Sequence, residues 1–183
     1  MDAVTTPLEG LLVLEPVVYG DHRGFFMEAW NRATFADVTG VDVEFVQDNH
    51  SRSAAGVLRG LHFQVPPSPQ GKLVRVGQGT VWDVAVDIRR ASPTFGRWFG
   101  IELSEENRLQ LWVPPGFAHG FVVLSESADL LYKTSGYYDA TCDRSLRWDD
   151  PELAIDWPLD GAPTLSDKDR QAPTLADAEV FEG

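Results

Sequence analysis

The sequence predicts an all-β fold, a sandwich or a barrel. Two observations carry that expectation. Short strand-like runs follow one another along most of the chain, each closed by Gly, Pro, Asn or Asp. In the clearest run, residues 80–88, Trp82, Val84, Val86 and Ile88 alternate with Val81, Asp83, Ala85 and Asp87, the period of two that a strand imposes.

Taken in order, residues 11–18 and 24–30 read as strands, followed by the one early helix, residues 32–38. Residues 44–49 and 57–64 are the next strands. Residues 72–76 lead through a Gly77-Gln78-Gly79 turn into residues 80–88, and residues 98–103, 108–113, 120–124 and 130–136 complete the series. The C-terminal part changes character. Ser166 precedes Asp167-Lys168-Asp169 as an N-cap with a carboxylate three residues on, a variant of the capping box, so one or two short helices are expected between residues 166 and 181. Nothing reads as a linker, a repeat or a low-complexity tract, and residues 1–183 are expected to form one domain.

The formal net charge of −13 argues against nonspecific binding to nucleic acid or an anionic membrane. A local cluster of cations could still hold a small anion. No apolar run is long enough to span a bilayer, and residues 1–7 lack the basic and apolar regions of a secretory signal. The single cysteine, Cys142, excludes an internal disulfide and reads as incidental; a cytoplasmic setting is expected.

The chemistry concentrates around Arg59-Gly60-Leu61-His62-Phe63-Gln64 and Lys72. His62 is a candidate proton carrier between two cations in an apolar strand pattern, suited to pulling a proton from carbon next to a ketone, with the cations stabilising the enolate oxygen. A core histidine satisfied by a hydrogen bond is the plain alternative. His119, after Pro114-Pro115-Gly116, reads either as a second site residue or as a strand-end histidine facing solvent. A metal site is disfavoured, because the run His62-Phe63-Gln64 lacks a second histidine and no Glu follows at the needed spacing. Arg23 and Arg59 stand beside glycines, where a guanidinium can reach a phosphate. Lys72 begins an apolar run and is expected to point into the barrel. Tyr132 could carry a proton, and Tyr137-Tyr138 could stack on a base.

These residues fall within a longer set: Asp21-His22-Arg23-Gly24-Phe25-Phe26, Gln47-Asp48-Asn49, residues 56–64, Asp83 to Arg89, Ser92 to Gly96, Pro115 to Phe121, Trp148 to Pro151, and Leu165 to Asp169. Several long motifs in this order resemble the dTDP-4-dehydrorhamnose 3,5-epimerase family of the cupin superfamily, over residues 8–175. The resemblance implies a cupin-type jelly-roll β-barrel with short C-terminal helices, a homodimer, and no metal or organic cofactor. It implies dTDP-4-dehydro-6-deoxy-α-D-glucose as substrate and dTDP-4-dehydro-β-L-rhamnose as product. By the same likeness His62 is the base, Asp169 its partner, Tyr132 the opposite-face proton donor and Lys72 the enolate stabiliser, with His119 nearby. Arg23, Glu28, Gln47, Asp48, Asn49, Arg59 and Lys168 match positions that hold nucleotide or sugar, some across the dimer interface, and Tyr138 matches the residue that stacks on thymine. The family usually has Glu where this chain has Asp143, which keeps the charge and loses a methylene of reach. Asp83 is expected to be a buried hydrogen-bonding carboxylate. The alternatives are a relative that inverts only C3 or only C5, a non-catalytic sugar-nucleotide binding module, and a metal-dependent cupin enzyme.

Overall fold

The computed structural model describes residues 1–182; Gly183, the last residue of the expected domain, lies outside them. The chain runs through β1 (Asp2–Thr5), β2 (Leu12–Glu15), β3 (Val18–Asp21), β4 (Gly24–Met27) and α1 (Arg32–Thr39). It continues through β5 (Gln47–Ala54), β6 (Leu58–Gln64), β7 (Lys72–Gln78), β8 (Thr80–Asp87) and β9 (Trp98–Ser104). It ends with β10 (Gln110–Val113), β11 (Phe117–Val123), β12 (Ser127–Thr134), β13 (Asp143–Ser145) and α2 (Asp167–Arg170). One sheet has the order β1-β2-β10-β7-β12-β5, the other β13-β6-β11-β8-β9, and β3-β4 form a separate hairpin. From β9 onward successive strands alternate between the two sheets, and paired strands are antiparallel, as a jelly roll requires.

The period of two along β8 separates two cores. Val81 and Ala85 point between the sheets, where they meet Val74, Val76, Phe117, Phe121 and Leu130. Val84 and Val86 point the other way, onto Leu153, Trp157, Leu175, Ala178 and Val180 of the C-terminal segment. That segment therefore covers the outer face of the five-stranded sheet. The outer face of the six-stranded sheet is covered near one end by α1, whose Phe35 is fully buried against Leu14, Leu73 and Trp112. Asn31 caps α1 by accepting from the backbone N–H groups of Ala33 and Thr34, and Gly40 ends it in the left-handed region at φ 72°.

Several elements depart from the sequence reading. The strand expected over residues 11–18 stops at Glu15, before Pro16, which cannot donate to a ladder, and a separate strand, β3, starts at Val18. The strand expected at residues 44–49 runs instead from Gln47 to Ala54, and the one expected at residues 120–124 begins at Phe117, so His119 is a mid-strand residue and not a strand-end one. β1 and β13 were not foreseen; they are four and three residues long. The C-terminal stretch holds one α-helix, α2, and a single turn closed by Ala178 donating to Thr174 O at 3.0 Å. Among the described residues no helix is long and apolar enough to cross a membrane.

Candidate active site

Strand parity aims the site residues inward. On β11, Phe117 and Phe121 enter the inter-sheet core while Ala118 and Val122 face the outer one, so His119 points between the sheets. On β7, inward Val74 and Val76 carry Lys72 inward; on β12, Leu130 carries Tyr132. On β6, Leu61 and Phe63 face the outer core, which leaves His62 and Gln64 inward. Leu58 faces outward too, which breaks the two-residue rhythm. The extra residue is absorbed at Arg59-Gly60, where the β6–β11 register shifts between His119 and Phe121. This bulge turns both Arg59 and His62 into one cavity. It needs glycine on both strands: Gly60 has φ 130°, and a Cβ there would lie 2.5 Å from Gly120 Cα.

The cavity holds about 370 Å³ and is lined by Arg59, His62, Lys72, His119, Tyr132 and Asp169, among others. A second chamber of about 250 Å³ is lined by Gln47, Asn49, Tyr138, Asp143 and Lys168. The two share His62, Lys72 and Tyr132, which stand where they meet.

His62 Nε2 lies 2.6 Å from Asp169 Oδ1. Asp169 is buried, and Ser166 Oγ donates to its other oxygen at 2.7 Å. Burial pushes the Asp169 carboxyl up, but the hydrogen bonds from His62 and Ser166 outweigh it, and the group ends below the usual carboxylate range. A carboxylate at Nε2 favours the tautomer with hydrogen there, in which the Nδ1 lone pair can accept a proton. Lys72 Nζ donates to His62 O at 3.1 Å. Burial brings the Lys72 ammonium down to about 8, against the opposing pull of Asp83 and Asp143. Burial pushes the Tyr132 phenol up, with the Arg59 charge working against it, so the phenol keeps its proton at neutral pH. Arg59 is oriented by donating from Nε to Ser53 Oγ at 2.9 Å. His119 Nε2 lies 2.8 and 3.0 Å from the two oxygens of fully buried Asp83.

At the far end of the second chamber, Lys168 Nζ and Tyr138 OH both donate to Asp143 Oδ2, at 2.5 and 3.1 Å. Tyr138 and Tyr137 are largely exposed. Gln47 accepts from the Tyr138 backbone N–H at 3.2 Å and donates to Asn49 Oδ1 at 2.9 Å.

The structure thus brings together His62, Lys72, Tyr132, Asp169, Arg59, His119, Gln47, Asn49, Tyr138, Asp143 and Lys168. It does not bring in three others. Asp48 lies on the outer side of its strand and pairs with Lys133 at 2.6 Å. Arg23 lies on the exposed β3–β4 hairpin, paired with Asp21, and Glu28 accepts from Asn31 and Thr34 at the start of α1. Sequence reasoning valued Ser166 only as a helix cap; the cap pattern itself, with Asp169 three residues on, was the signal that its hydroxyl would reach that carboxylate. Among the described residues no group of three His, Cys, Asp or Glu side chains is placed to hold a metal ion.

Comparison with known proteins gives consistent matches. A family model described as dTDP-4-dehydrorhamnose 3,5-epimerase matches residues 5–177. The Pseudomonas aeruginosa dTDP-4-dehydrorhamnose 3,5-epimerase is 56% identical over 181 residues, covering 99% of both chains. A solved dTDP-6-deoxy-D-glucose-3,5-epimerase from Legionella pneumophila, in complex with dTDP-4-keto-L-rhamnose, superposes with a TM-score of 0.96 at 48% identity, covering 100% of this chain and 98% of that one. A 3'-monoepimerase from Streptomyces bikiniensis, in complex with dTDP-quinovose, superposes with a TM-score of 0.88 at 37% identity, covering 96% and 88%. With a family match over nearly its whole length and more than half its residues shared with a named relative, the chain belongs to the dTDP-4-dehydrorhamnose 3,5-epimerase family.

Proposed function

We propose that this protein is an isomerase that inverts C3 and C5 of dTDP-4-dehydro-6-deoxy-α-D-glucose to give dTDP-4-dehydro-β-L-rhamnose. The observation that carries the reading is the convergence of a carboxylate-backed imidazole, a buried ammonium and a phenol on one cavity. The C4 ketone acidifies the hydrogens on both neighbouring carbons. His62 removes one of them, and Asp169 stabilises the imidazolium that forms. Negative charge develops on the C4 oxygen, where the Lys72 ammonium receives it, with His119 nearby. Tyr132 delivers a proton to the opposite face of the carbon, which inverts the centre; solvent then takes the proton from the His62 imidazolium and returns one to the Tyr132 phenolate, which restores both groups. A second round at the other carbon completes the reaction. Every group in this route is a side chain of the protein, and no cofactor takes part.

The nucleotide lies along the second chamber, with thymine stacked on Tyr138 and with Lys168, Gln47 and Asn49 along its path. Asp143 acts through Lys168 and Tyr138, both of which it holds, which accommodates its shorter reach. Arg59, in the first cavity, meets the sugar end of the substrate. Arg23 and Glu28 serve the cavity of a second copy in a homodimer; the exposed Tyr19, Phe25 and Phe26 of the same hairpin support burial there. The outward position of Asp48 supports no contact with a ligand in its own chain's cavity. Residues 1–183 act as one domain, and the single cysteine supports a cytoplasmic setting.

Incubation of the substrate in deuterated water, read by NMR, tests the function. Deuterium at both C3 and C5 in an L-configured product is expected. Deuterium at one carbon only would make the protein a monoepimerase, and no exchange would make it a binding module.

A further inference from the structure

Gln64 follows His62 by two residues on the same inward side of β6 and is 4% exposed. Its three side-chain hydrogen bonds go to two loops. Its Nε2 donates to Ser68 O at 2.7 Å and to Tyr137 O at 3.2 Å, and its Oε1 accepts from Asp139 N at 2.8 Å. The bonds to Tyr137 and Asp139 bracket Tyr138 from both sides along the backbone. Directly across the β6–β13 ladder from Gln64 sits Asp143, which accepts from the Tyr138 hydroxyl. One rung of that ladder therefore holds Tyr138 at both its backbone and its ring tip. Tyr138 is 59% exposed and so has little packing to keep its ring in place.

We propose that Gln64 is a positioning residue for nucleotide binding: it ties the loop bearing Tyr138 to the strand bearing His62, and so fixes the stacking ring relative to the catalytic base. The inference rests on the reading that Tyr138 stacks on the base. An exposed tyrosine on an untied loop loses conformational freedom when a ligand docks, and each ordered side chain costs binding free energy. The Gln64 bracket meets that cost on folding. The two bonds to the Tyr138 loop also set where the ring stands, so that a stacked base puts the sugar at the junction of the two chambers.

The test uses Gln64→Met, which keeps the volume and removes all three bonds, with Tyr138→Ala and the double variant alongside. The Kd for dTDP is measured by calorimetry, and KM and kcat with the keto-sugar substrate. Gln64→Met is expected to raise Kd and KM about tenfold and to leave kcat within about twofold, because His62 and Lys72 keep their places. In the Tyr138→Ala background the same change is expected to add less than about twofold, since the ring it positions is gone. An unchanged Kd for Gln64→Met beside a weakened Tyr138→Ala overturns the proposal alone and leaves stacking intact. Full multiplication of the two effects, or a lost kcat with normal Kd, also overturns it, the latter by assigning Gln64 to the His62 site. A Tyr138→Ala variant that binds dTDP as tightly as the parent overturns the stacking reading and this proposal with it. Where Gln64→Met does not fold, Gln64→Glu keeps the acceptor for Asp139 N–H and loses both donated bonds; it is expected to weaken dTDP binding in the same direction, and an unchanged Kd there refutes the proposal.

Discussion

His62 and His119 stand directly opposite each other across the β6–β11 ladder, and each is backed by its own buried aspartate, Asp169 and Asp83. The two pairs differ in exposure. The His62 side chain is 33% accessible, whereas that of His119 is 7%. Only His62 also borders both chambers. The proposed proton carrier, His62, is thus the histidine with room to meet a substrate, and His119 suits the proposed part of a fixed donor beside Lys72.

The backing carboxylate is predicted to matter through the tautomer. Asp169→Asn places an amide opposite His62 Nε2, which removes the charge that stabilises the imidazolium and lets the ring proton move to Nδ1. We expect kcat to fall by about 10²-fold or more, while dTDP affinity stays near its native value. Steady-state kinetics with dTDP calorimetry measures both. A variant with native kcat would remove Asp169 from the mechanism.

Lys72 sets the alkaline limb. Burial holds its ammonium down to about 8, so it is charged below that pH and neutral above it. Enolate stabilisation needs the charge, so kcat/KM should decline above pH 8, about tenfold per pH unit. In Lys72→Met that limb should vanish and the rate fall by about 3 kcal/mol in barrier, on the order of 10²-fold. A pH–rate profile of both proteins is the check. An unchanged alkaline limb in the variant would assign it to another group.

Tyr132→Phe separates exchange from inversion. His62 can still remove a proton and return it to the same face, so deuterium should enter the recovered substrate while L-configured product falls by about 10²-fold or more. NMR of the sugar reads label and configuration together. Inversion of both centres at the native rate would end the donor role.

Gly60→Ala tests the bulge. The added Cβ meets the Gly120 backbone at 2.5 Å, which no side-chain motion relieves, at a backbone φ of 130° that L-residues avoid. We expect a loss of stability of about 2–4 kcal/mol and lost activity, because Arg59 and His62 no longer share the cavity. Thermal unfolding with activity at low temperature measures both.

The sequence exposed the site where chemistry and pattern coincide. His62, Lys72 and Tyr132 lie in short apolar runs bounded by turn residues, which mark them as strands, and parity then aims them inward. β5 shows where that signal fails. Its inward residues Gln47, Asn49, Ser51 and Ser53 line the cavity side and are polar, while Asp48, His50 and Arg52 face out, so no apolar stripe marks it as a strand. A strand that builds a polar site loses the signature by which strands are recognised. β13 was hidden for a related reason: it is three residues long, and its place is set by the long-range ladder to β6. The pairing of Asp169 with His62, 107 residues apart, followed from family likeness; no local pattern encodes it.

The most direct test of the central claim, that His62 is the base for both centres, is solvent exchange in His62→Ala. With the keto-sugar substrate in deuterated water, the parent protein is predicted to label C3 and C5, and the variant neither, while still binding dTDP. Label entering either carbon of the variant's sugar at the native rate would contradict the account.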